Sequence, residues 1–95
     1  MNKFFEDLGE RLVAAAARRG ARIEAPVLDS AVALELLELA RVAAHTQERR
    51  FAPLASFMAG AAVEQMRAAG AAADPATIAA VIEEVRKELE REPPV

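Results

Sequence analysis

Apolar residues recur every three to four positions along this chain, in four successive stretches, and no stretch alternates with the period of two that a strand requires. The chain is therefore built from amphipathic helices, and its breakers say where each one stops. The first helix is expected over about residues 2–19. Asn2 is its N-cap, Phe4, Phe5, Leu8, Leu12, Ala15 and Ala16 form one apolar face, and Gly20 is its C-terminal stop. A connector, ARIEAP, follows. Pro26 suits the first turn of a second helix, with Asp29 or Ser30 as a later N-cap, and that helix runs to about residue 46. Its apolar positions (Leu28, Val32, Leu36, Leu39, Ala40, Val42 and Ala43, with Leu37 and Ala44 on the flank) cover more than half the circumference. A helix of this kind is central and packs on more than one neighbour.

The third helix is expected over 53–69, with Pro53 at its first position and Gly70 ending it. Met58 and Met66 read as core filler, and Gly60 as a point of close helix approach. Asp74-Pro75 starts the fourth helix, whose stripe is Ile78, Val81, Ile82, Val85 and Leu89. Glu83 and Lys87 are spaced as an i, i+4 pair on its outer side. Pro93-Pro94 terminates it. Short loops give an all-α fold, a single small antiparallel four-helix bundle over residues 1–92, with 93–95 as a frayed tail.

The 95 residues suffice for one core with a small stability margin. The apolar share is 54%, with Ala its largest part, and aromatics are 4% with no Trp or Tyr, so the core should be thin. A chain like this buries more surface by pairing with a copy of itself. The net charge of −3, with signs interspersed, argues against nucleic-acid binding. Absence of cysteine excludes disulfides, thiolate metal sites and a Cys nucleophile. Acidic residues near the start stand where a signal peptide has its apolar core, and no apolar run reaches the roughly 20 residues of a membrane span. The expected location is cytoplasmic, with no membrane association.

Polar chemistry gathers in residues 36–60. On a helical wheel Glu38, Arg41 and His45, the only histidine, fall on one narrow polar stripe of the second helix, and extension through the turn adds Glu48 and Arg49. Three readings fit. The stripe is a solvated edge bracing the turn, with His45 favoured near a helix C-terminus. Alternatively Arg41, His45, Glu48, Arg49 and Arg50 form a small ligand site in which the cations receive a phosphate or carboxylate, assisted by free N–H groups where the third helix begins. Last, His45-x-x-Glu48 has helical ligand spacing, but one His and no Cys give a single chain no usual metal site. No cofactor and no metal are expected. Nucleophile-elbow and phosphate-loop patterns are absent, the Glu83-Glu84 pair reads as a solvated face, and in the Arg18, Arg19 and Arg22 cluster the first two are explained by the end of the first helix.

The string Leu39-Ala40-Arg41, Ala44-His45, Glu48-Arg49, Ala52-Pro53-Leu54, Phe57 and Gly60 resembles a small helical domain of unknown function common in actinobacteria, with the pattern L-A-R-x-x-A-H-x-x-E-R-x-x-A-P-L-x-x-F-x-x-G. That domain occurs alone, and also fused to or associated with molybdenum-cofactor guanylyltransferase-like proteins. Phe4-Phe5 stand here where it has a Trp, and the first helix and its connector are longer. The resemblance implies a link to molybdenum-cofactor (molybdopterin guanine dinucleotide) biosynthesis by association, and carries over Arg41, His45, Glu48, Arg49 and Pro53. The functional expectation is a non-catalytic accessory module, not an enzyme, that binds a partner protein or forms a homodimer. The alternative is an anion- or nucleotide-binding domain using Arg41, His45 and Arg49. Pro53, Phe57 and Gly60 are expected to shape and pack the turn.

Overall fold

The computed structural model describes residues 2–93, and the expected tail residues Pro94 and Val95 lie outside them. Four helices form a small all-α bundle: α1 (Lys3–Ala17), α2 (Ser30–Thr46), α3 (Phe51–Ala68) and α4 (Pro75–Glu90). Each boundary has a local cause. The Asn2 side chain accepts from the Phe4 N–H at 2.8 Å. One Asp29 oxygen accepts from the Ala31 and Val32 N–H groups. Asp74 accepts from the Thr77 N–H and hydroxyl, and Pro75 follows at the first position. Gly20 and Gly70 both have φ above +80°, and the next residues, Ala21 and Ala71, donate back to Ala16 and Met66 in the same closing bond.

The third helix starts two residues earlier than the proline suggests. Phe51 is its first residue and Pro53 its third. Pro is tolerated there because N–H groups in a first turn have no partner within the helix. Pro26 lies in the connector, since Asp29 supplies the cap.

α2 is the spine. It packs against both α3 and α4, and no other helix pair among the described residues forms a comparable face. The buried apolar side chains are Leu39, Val42, Ala43, Val63 and Ile82, three of them from α2. The short turn between α2 and α3 makes that pair antiparallel. The α2–α4 pair is tied by Glu35 and Arg86: the guanidinium donates to one carboxylate oxygen at 3.1 and 3.3 Å, and both side chains are more than four-fifths shielded.

α1 stands differently. Its one buried residue is Gly9, which lies against the connector. A Cβ there would sit 3.3 Å from the Pro26 carbonyl oxygen and 3.6 Å from the Ala25 Cβ. Connector residues Ile23 to Val27 in turn line a cavity with Val32, Leu36, Val63 and Ile78. The connector thus occupies one end of the space above α2, and α1 rests on its outside. The molecule is extended as a result, with a radius of gyration of 14.6 Å, against roughly 12 Å for a compact domain of this length.

Two packing expectations are corrected. Gly60 is no close-approach point: a Cβ there meets nothing within 4 Å, because the residue faces the connector cavity and no helix backbone. Met58 is no core filler, being 72% exposed on a face of α3 that no helix covers.

Gly60→Ala should therefore raise stability by roughly 0.5–1 kcal/mol through helix propensity alone, as read in urea unfolding. Destabilisation would show that something packs on Gly60. Leu39→Ala should cost about 2–5 kcal/mol in the same assay.

Candidate functional site

The polar stripe of α2 forms as the wheel predicts, but its charges are already engaged. Arg41 donates from Nε and an NH2 group to the two oxygens of Glu38 at 3.4 and 3.1 Å. That hydrogen bond, and then the negative charge behind it, raises the guanidinium pKa above its ordinary value. Arg50 pairs with Glu48 at 2.5 Å. The turn separates the residues that an extended helix would have aligned: α2 stops at Thr46, Gln47 leaves the helical region, and Glu48 to Arg50 are non-helical. His45 and Arg49 are exposed and make no ion pair among the described residues.

Nor does the start of α3 offer free donors. The Phe51 N–H donates to the Glu48 carbonyl at 2.9 Å and the Ala52 N–H to the Arg49 carbonyl at 3.2 Å, while Pro53 has none. Arg50 at the N-cap contributes no side-chain cap bond. An anion arriving here would meet the unpaired Arg49 and the His45 side chain and no waiting backbone cradle. Among the described residues no group of three or more His, Asp or Glu side chains is placed to hold a metal ion.

The stripe instead continues into a charged seam along α4. Arg86 donates to Glu35, 51 positions away, and to Glu90 at 2.7 Å, with Glu83 at 3.9 Å. The Glu90 bond first, and Glu35 after it, raise the Arg86 pKa; reciprocally, Arg86 holds the Glu90 carboxyl below its usual range. Sequence reading passed over this cluster. The signal was present locally, in an Arg with Glu three positions before and four after it, but the link to Glu35 depends on the packing of two helices.

A second surface was not anticipated. α3 and α4 rise on the same face of α2 without packing on each other, and leave a groove of about 330 Å³ beyond the connector. Its floor is Leu39. One wall is Ala55, Met58, Ala59, Ala62 and Val63, the other Val81, Ile82, Val85 and Leu89, and no polar surface lines it. The apolar surface continues over the outer side of α3 through Phe57, Ala61 and Met66. Phe57, expected to pack the turn, is 78% exposed there. Its position on α3 turns the ring away from α2, the helix against which α3 mainly packs among the described residues. No helix of the described residues is long and apolar enough to cross a membrane, so a bilayer span does not account for this surface.

The family comparison matches residues 3–94 to a domain of unknown function, DUF6457, and the chain belongs to that family. No curated protein and no solved structure matches it.

Titration calorimetry with inorganic phosphate should give no saturable heat at millimolar ligand, because Arg41 and Arg50 are committed to carboxylates. Saturable binding abolished by Arg49→Ala would establish an anion site. Carboxylates held below their usual range stabilise the fold above about pH 4 and lose that contribution as pH falls through their lowered values. Arg86→Met, which returns Glu90 to an ordinary titration, should flatten the acid limb of a stability–pH curve.

Proposed function

We propose that this DUF6457 domain is a non-catalytic interaction module whose working surface is the apolar groove between α3 and α4, with the adjoining outer face of α3. The observation that carries this reading is the exposure of Phe57 and Met58 beside a groove with no polar lining. Contiguous apolar surface of this kind on a small protein marks a place where another chain sits. Two apolar walls carried by helices favour helix-in-groove recognition, in which apolar side chains at i, i+3, i+4 and i+7 supply the anchors.

The paired charges at Arg41 and Arg50 favour a structural role for the polar stripe. Arg41 pairs within α2 and Arg50 within the α2–α3 turn, so both brace local structure, while Glu35–Arg86 ties α4, one groove wall, to α2. A ligand-binding role for Arg41, His45 and Arg49 would require the Glu38 pair to open first. The biological setting is proposed from the resemblance carried by residues 39–60: a cytoplasmic accessory domain for molybdenum-cofactor maturation, with a guanylyltransferase-like protein as the first foreign partner to test.

The test separates an interface from a core. At protein concentrations too low for association, Phe57→Ser and Met58→Ser should change stability by no more than about 0.5 kcal/mol, as exposed substitutions do. They should also reduce association, with itself or with such a partner, by tenfold or more in sedimentation or calorimetry. A stability loss above about 2 kcal/mol with association unchanged would sink the reading.

A further inference from the structure

The chain carries two unpartnered apolar shapes, one convex and one concave. The convex one is α1, where Phe4, Phe5, Leu8 and Leu12 all remain exposed, with only the connector beneath them. A 15-residue helix is marginal in water unless its apolar face is covered. The concave one is the groove, whose walls occupy the place where a fourth helix would complete the bundle.

Surface area indicates how much cover is missing. The chain exposes 7172 Å², whereas a folded monomer of 10.2 kDa exposes roughly 5,300 Å². The excess is about 1,900 Å² per chain. A standard interface buries about 800 Å² per partner, and obligate dimers bury more. The surplus therefore suffices for an obligate pair, which a transient contact would leave mostly exposed.

We propose that the occupant of the groove is α1 of a second copy of this chain, exchanged reciprocally so that each protomer completes the other's bundle. This rests on the interaction-module reading and names its partner. The geometry allows it. The α1 stripe from Phe5 to Leu12 rises about 10 Å, and the groove wall from Val81 to Leu89 about 12 Å, at 1.5 Å per residue. Exchange releases Gly9 from Pro26, and the non-helical connector between Ala17 and Ser30, at roughly 3.3 Å per residue, is then long enough to carry α1 across to a neighbour. Exchange of an identical element closes the interface with two-fold symmetry, so neither apolar shape is left over to propagate a filament.

The absence of cysteine makes the test direct. Leu8→Cys and Val85→Cys chains are prepared separately, unfolded, mixed, refolded together and treated with a short bis-maleimide. The expected product is a linked species of twice the 10.2 kDa chain mass, formed in the mixture and by neither variant alone. Light scattering of the unsubstituted chain at micromolar concentration should give the same doubled mass, and Leu8→Asp should return it to a monomer. A monomeric unsubstituted chain overturns the second copy while leaving the groove open to a foreign helix. An unlinked mixture alongside internal linkage in the double Leu8→Cys/Val85→Cys chain overturns it too, because α1 then fills its own groove. A dimer that survives Leu8→Asp at full mass overturns the α1 contact. Loss of association in Phe57→Ser and Met58→Ser is read independently, so failure of the exchanged helix and failure of the interaction module are distinguishable.

Discussion

Everything in this fold depends on α2 being the only helix that two others pack against. Leu39, Val42 and Ala43 are its buried contribution, and Val63 of α3 and Ile82 of α4 meet them. With five buried apolar side chains among the described residues, none of them fully enclosed, hydrophobic stabilisation is small, and the structure relies on local devices to hold its elements in place. Side-chain caps at Asn2, Asp29 and Asp74 fix the starts of three helices, and glycines in the left-handed region end two. The Glu35–Arg86 pair, shielded by both helices, sets the α2–α4 spacing. A pair of this kind specifies an arrangement more than it strengthens one.

Side-chain size explains why the packing stops where it does. α3 is rich in Ala around Val63, so α2 and α3 approach closely while the larger side chains, Phe57, Met58 and Leu54, fall on the remaining arc and stay exposed. Thin helices with bulky residues on the wrong side for an internal core suit an external one.

Local features of this architecture were legible in the sequence, and tertiary ones were not. Helix period, the Asn2, Asp29 and Asp74 caps and the Gly20 and Gly70 stops all act within a few residues, so pattern alone places them. Pro53 misled by two positions because proline is acceptable throughout a first turn, and the Glu48–Phe51 turn bond that begins the helix leaves no mark in composition. The polar stripe at Glu38, Arg41 and His45 was visible on a wheel, but the pairing that occupies Arg41 depends on rotamers. Glu35–Arg86 joins elements 51 residues apart. Phe57, Met58 and Gly60 carry the clearest lesson. An apolar residue or a glycine on a helix reads as core until the neighbouring helix is known to be elsewhere.

The central claim is that the folded state is incomplete without association, and the concentration dependence of thermal unfolding tests it most directly. Folding coupled to dimerisation stabilises by mass action, so a hundredfold rise in protein concentration should raise Tm by roughly 5–10 °C for a chain of this size. A Tm that stays constant over that range would contradict the account, and would mean that this thin core, with its exposed phenylalanines, stands alone.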